Sequence, residues 1–112
     1  MKKLIYSPEY KDKLIRLRNY LDSNYDQQTR KKVFAKIDHH IQLLRSQNRL
    51  GVSLRERYGI DCDYYYIYVA NNLVFYRIEE DSIRILDMHH EREDSIIKFL
   101  GRRSRLHEHS EE

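Results

Sequence analysis

The chain has 112 residues with a net charge of +3, 35% of them charged and 40% apolar, which is the size of one domain with one core. No apolar run approaches the roughly 18 residues of a membrane span, and the N-terminal stretch MKKLIYSPEY has no signal-peptide core, so a cytoplasmic protein is expected. The single cysteine, Cys62, excludes an internal disulfide framework and reads as a small buried hydrophobe, while one proline and three glycines exclude a loop-rich chain.

Lys3 to Tyr6 is a short strand candidate that runs into Ser7-Pro8-Glu9, a compact helix start with a cap, a first-position proline and an acid against the dipole. Tyr10, Leu14, Leu17 and Leu21 then recur on one helical stripe. Asp26 caps a second helix, in which Val33, Ile37, Ile41 and Leu44 form the apolar face and Arg30, Lys31, Lys32, Lys36 and Arg45 take other faces. The two make an antiparallel helical hairpin. After Gly51 the period changes to that of strands. Leu54 to Tyr58 is one candidate, Asp63 to Ala70 and Leu73 to Glu79 pair about a turn at Asn71-Asn72, and Ser82 to His89 follows. Ser95 to Leu100 suits a last helical turn or two. The pattern predicts an α+β fold, β-α-α-β-β-β, with the hairpin on a small, mainly antiparallel twisted sheet and a short C-terminal helix. Residues 1–100 form the domain and 101–112 a polar tail expected to fray.

Counting outward from Asn71-Asn72 puts Tyr65, Ile67, Val69, Val74, Tyr76 and Ile78 on one face, joined by Ile83 and Ile85. This is the face for the helices to cover. Tyr64, Tyr66, Tyr68, Phe75, Arg77, Arg84, Leu86 and Met88 fall on the other, and His90 extends that row. Two readings of this second face stay open. It is a half-exposed sheet face rich in tyrosine because tyrosine suits strands, or it is a contact surface of stacking rings and phosphate- or carboxylate-binding arginines.

Several segments in this order resemble the RelE/ParE superfamily of toxins from bacterial type II toxin-antitoxin modules. Tyr6-Ser7-Pro8-Glu9 with Leu14 and Tyr20-Leu21 is similar to the first strand and helix of that family. Thr29 to Leu44, Leu50-Gly51 and Leu54-Arg55-Glu56 resemble the second helix and its link to the sheet. Leu73 to Ile78, Ile83 to Leu86 and His90-Glu91-Arg92-Glu93-Asp94 resemble the strands and the terminal cluster of ParE-like members. The likeness spans roughly residues 3 to 100. Glu93 departs from it, standing where ParE-like chains often carry arginine.

The resemblance implies a growth-inhibiting toxin that binds DNA gyrase without catalysis, neutralised by a cognate antitoxin. On this reading the binding surface is Tyr64, Tyr66, Tyr68, Phe75, Arg77, Arg84, His90 and Arg92, and the basic helical hairpin is a second exposed surface. The alternative is a RelE-like, ribosome-dependent mRNA endoribonuclease (an mRNA interferase), with the ribosome and mRNA as partners. Its acid-base chemistry would fall to His90, with Arg77 and Arg92 at the phosphate. Against it, Tyr64 to Tyr68 contain no basic residue and no tyrosine follows Tyr76. A non-toxic relative that acts only as a binding partner is a third reading. The sequence implies no cofactor, no metal site and no membrane partner. An amphipathic antitoxin segment could pair with an edge at Lys3 to Tyr6 or Leu54 to Tyr58.

Overall fold

The computed structural model describes residues 1–91 and 94–111, with side-chain surroundings as far as 103. The chain opens as strand β1 (Lys3–Tyr6) and turns at Ser7. The Ser7 hydroxyl accepts the Tyr10 N–H at 3.1 Å and donates to the Leu86 carbonyl at 2.6 Å. With Pro8 at the first helical position, that cap starts α1 (Pro8–Asn24). Asp26 starts α2 (Gln27–Leu43) in the same way, accepting the Thr29 N–H at 2.8 Å. Both helices stand where their apolar periodicity predicts.

Leu54 to Tyr58 is not a strand. The strand before it, β2 (Val52–Ser53), is two residues long, and Leu54–Tyr58 forms a short helix, α3. The cause is local: Ser53 caps the turn by accepting the Glu56 N–H at 3.2 Å, and Gly59, at φ 68°, ends it in the left-handed region. Cys62 follows in a half-buried position rather than a buried one.

The sheet is completed by β3 (Tyr64–Val69), β4 (Asn72–Ile78) and β5 (Ser82–His90), in the order β1-β5-β4-β3-β2, with only the β1–β5 pair parallel. A final helix, α4 (Ser95–Glu111), continues well past Leu100. The β3–β4 turn is Ala70-Asn71, not Asn71-Asn72. Both its residues have positive φ, 52° and 64°, as a two-residue hairpin turn of the primed type requires. Asn72 supports the unusual alanine conformation by donating its side-chain amide to the Ala70 carbonyl at 2.8 Å. The pairing is therefore moved by two residues, Tyr66 opposite Phe75 and Tyr64 opposite Arg77. An even shift keeps every side chain on its expected face.

The β4–β5 pairing is different. Tyr76 lies opposite Ile85, but Phe75 lies opposite Asp87, so Leu86 is an extra residue in β5. A bulge of this kind reverses the alternation beyond it. Ile83 and Ile85 keep to the helical-hairpin face as expected, yet Met88 joins them instead of the aromatic face. The core on that side unites Tyr10, Ile37, Ile41 and Leu44 with Ile67, Val69, Val74 and Tyr76.

Tyr76 also fastens the loop after α2. Its hydroxyl, fully buried, donates to the Asn48 carbonyl at 2.9 Å and accepts the Gly51 N–H at 3.0 Å. Burial pushes its pKa up to about 12. A Cβ on Gly51 would collide with the Tyr66 carbonyl and lie 2.8 Å from that hydroxyl. Gly51→Ala is expected to destabilise the chain by about 2 kcal/mol in urea unfolding. A stability within 0.5 kcal/mol of the parent would contradict this close packing.

Candidate functional site

The aromatic face of the sheet is largely covered. Helix α4 lays Phe99 on Phe75, ring centroids 4.1 Å apart and nearly parallel, and sets the same Phe99 edge-on to Tyr64 at 5.1 Å. Phe75, Leu86 and Phe99 form a second buried cluster, flanked by half-buried Tyr64, Tyr66, Leu73, Ile96 and Leu100. Arg103 stacks over the Tyr64 ring at 5.7 Å. Of the expected surface residues on this face, Phe75 is core, and Tyr64 and Tyr66 are half-buried. Burial, together with a 3.1 Å bond between the Tyr66 and Tyr58 hydroxyls, raises the Tyr66 pKa to about 12. Tyr68 remains open, 53% exposed, and its hydroxyl donates to Glu91 at 2.5 Å.

Arg77 and Arg84 face each other across β4 and β5 and share one carboxylate. Glu79 accepts Arg77 at 2.7 Å, Arg84 at 2.9 Å and the Ser82 hydroxyl at 2.9 Å. These bonds, first from Arg84 and then from Arg77, hold its pKa near 2 against the opposing effect of burial. The two cations expected to receive an anion are thus already partnered.

His90 does not extend the Tyr66 row. The bulge places it opposite Asn72, on the side of α1. There it lines a cleft of about 350 Å³ with Lys13, Arg16 and Tyr20. Arg77 sits five positions further along β4 and on the other face, about 17 Å away at ordinary strand rise. Arg92 lies outside the described residues. His89, the neighbour of His90, is buried, its ring edge-on to Phe75 at 6.0 Å.

Two residues that the sequence reading passed over, Lys13 and Asp87, meet at the bulge. Lys13 reaches the part of β5 that β1 leaves uncovered, bonding the Met88 carbonyl at 2.9 Å, Asp87 at 3.2 Å and His89 Nδ1 at 3.3 Å. His89 Nε2 lies 3.2 Å from the second Asp87 oxygen. An Nδ1 that accepts from the Lys13 ammonium goes with an Nε2–H that donates to Asp87. Burial would raise the Asp87 pKa, but His89, the Lys13 charge and the Met88 N–H outweigh it and hold it below the usual range. The signals were present in the sequence. Lys13 interrupts the apolar stripe three residues after Tyr10, and Asp87 interrupts an apolar strand.

A second, more apolar groove of about 410 Å³ lies between α3 and the start of α4, lined by Tyr58, Ile60, Leu73, Ile96 and Ile97 with Glu91 and Asp94 at its rim. Ile97 is 73% exposed there.

Two measurements probe this geometry. Phe99→Ala is expected to lower stability by about 3 kcal/mol in urea unfolding, and a loss below 1 kcal/mol would mean that α4 does not seal the sheet. Glu79→Gln is expected to cost up to about 1 kcal/mol at pH 7. Because the Glu79 pKa is lowered from 4.5 to about 2, its contribution is complete above pH 4.5 and fades as pH falls toward 2. Thermal melts of parent and variant should converge at that acid limit, and a gap that persists there would exclude the ionic cause.

No curated protein matches this chain. Among solved structures, a chain described as the chromosomal ParDE TA system from P. aeruginosa is similar, with a TM-score of 0.65 at 13% identity. The match covers 80% of this chain and 96% of that one, a likeness of fold. The family model described as the ParE toxin of the type II toxin-antitoxin system parDE matches residues 4–95, which take in α1, α2, α3, the five strands but for Lys3, and the first residue of α4. By that match the chain belongs to the ParE toxin family of type II toxin-antitoxin systems.

Proposed function

We propose that this protein acts in the cytoplasm by binding DNA gyrase and inhibiting it, and that a cognate antitoxin protein silences it. The observation that carries the choice of binding over catalysis is the separation of His90 from Arg77, the described arginine that the endoribonuclease reading sets at the phosphate. A general acid or base and the cation that stabilises the same phosphate need to converge on one group, and these two lie on opposite faces of the sheet. Glu79 holds Arg77 and Arg84 as well, and Phe99 covers Phe75. What α4 leaves open suits contact with a protein. The apolar groove beside Ile97 would accept aliphatic anchors of the antitoxin, and β1, an edge strand of four residues, would accept one more strand.

Induced expression in bacteria tests this directly. Growth arrest with DNA-damage signalling and trapped gyrase–DNA complexes is the expected result, relieved by co-expression of the antitoxin. Transcripts cut within ribosome-occupied codons would replace this reading with the endoribonuclease one. Unimpaired growth would leave a non-toxic binding partner.

A further inference from the structure

The cleft that holds His90 plays no part in the reading above, and its construction is specific. Its lining includes Lys13, Arg16 and Tyr20 from α1, and Asn72, His89 and His90 from the distal ends of β4 and β5, over apolar Leu17 and Met88. No carboxylate lines it among the described residues. The acid beneath it, Asp87, is buried and already engaged by Lys13 and His89, which fixes the floor. The bulge at Leu86 is the device that turns His90 toward α1, and bulges of this kind often re-aim a side chain beside a binding site.

The mouth differs from the floor. Arg16 and Tyr20 stand one helical turn apart, with 71% of the Arg16 side chain and 55% of Tyr20 exposed. Among the described residues Arg16 is held by Asp12 at 3.0 Å, an exposed pair one turn apart on the helix and of the weak, solvent-screened kind. A guanidinium binds a phosphate through paired N–H groups, and an exposed phenol ring one turn further offers a face to a base. Asn72, buried and with its amide donated to the Ala70 carbonyl, closes the far end of the cleft beside His90. The volume of about 350 Å³ is at the small end of ligand pockets, the scale of one nucleotide.

We propose that this cleft is a binding site for a single nucleoside phosphate, with Arg16 on the phosphate and Tyr20 stacked on the base. The nucleotide could come from a free nucleoside monophosphate or from the end of a nucleic-acid strand. The site stands apart from the gyrase-binding reading and does not depend on it.

Amide NMR titration of the full chain tests the proposal, with AMP, GMP, CMP, UMP, inorganic phosphate and glutamate as separate probes. The expected result is saturable shifts at Arg16, Tyr20, Asn72 and His90 with at least one nucleotide, and weaker ones with phosphate. Arg16→Gln should weaken nucleotide binding roughly tenfold. Tyr20→Ala should weaken nucleotides while leaving phosphate binding unchanged. Both side chains are exposed, and unchanged melting curves confirm that the variants fold. A 5′-phosphorylated dinucleotide that binds more tightly than the mononucleotide assigns the ligand to strand ends, and equal binding assigns it to free nucleotide. Four outcomes would each overturn the site. They are no shifts at about 10 mM nucleotide, phosphate or glutamate binding as tightly as nucleotide, shifts located elsewhere, or variants that bind like the parent.

Discussion

Strand β5 carries one residue more than β4 between Ile85 and Asp87, and the positions of Asp87, His89 and His90 depend on that extra residue, Leu86. Before it, side chains alternate as a flat reading of the strand requires. After it, Met88 is core, His89 is turned against Phe75 and His90 faces α1. The bulge falls where β1 ends, so β5 loses a regular partner on one side as its pairing becomes irregular on the other. Carbonyl groups exposed at such a place need donors. Ser7 supplies one to Leu86 and Lys13 one to Met88. The N-terminal cap of α1 and the irregular strand thus stabilise one another.

A sheet apolar on both faces needs two covers, and this one has them in unequal strength. The helical hairpin buries a broad cluster that reaches from Tyr10 to Met88. Among the described residues, helix α4 covers the other face around fully buried Phe99, aided by half-buried Ile96 and Leu100. That side therefore depends on far less apolar burial, and its stability rests on one ring stacked on Phe75. The same arrangement explains why tyrosines crowd β3. Tyr65 packs on Tyr76 at the main core, Tyr64 and Tyr66 form the margin of the second, and Tyr68 is exposed.

The architecture was legible in the sequence wherever a local signal was strong. Ser7-Pro8 and Asp26 mark both helix starts, and the alternation of Tyr65, Ile67 and Val69 marks the core face. Two errors came from local chemistry that was also present. Ser53 and Glu56 with Gly59 spell a capped helical turn, which outweighs the strand pattern of Leu54 to Tyr58. The hairpin turn uses Ala70, whose positive φ is made tolerable by the Asn72 side chain, a bond that composition does not reveal. The site was less legible for a different reason. No residue in Ile83 to His90 announces a bulge, since a bulge is set by pairing between strands and by donors from α1. Counting by twos therefore sent His90 to the wrong face. The cover of Phe75 was readable from Ile96, Phe99 and Leu100, whose spacing is that of a helix face.

We infer from the described residues a contact surface more than an assembled catalytic centre. Arg77 and Arg84 are committed to Glu79, Lys13 to Asp87, and the aromatic face to α4. The most direct measurement of that claim is a supercoiling assay with purified DNA gyrase, plasmid and this protein, free of ribosomes. Inhibition that titrates with protein concentration and survives both His90→Ala and Arg77→Ala is the predicted result. Undiminished supercoiling in the same assay, from protein that arrests growth in cells, would contradict the account.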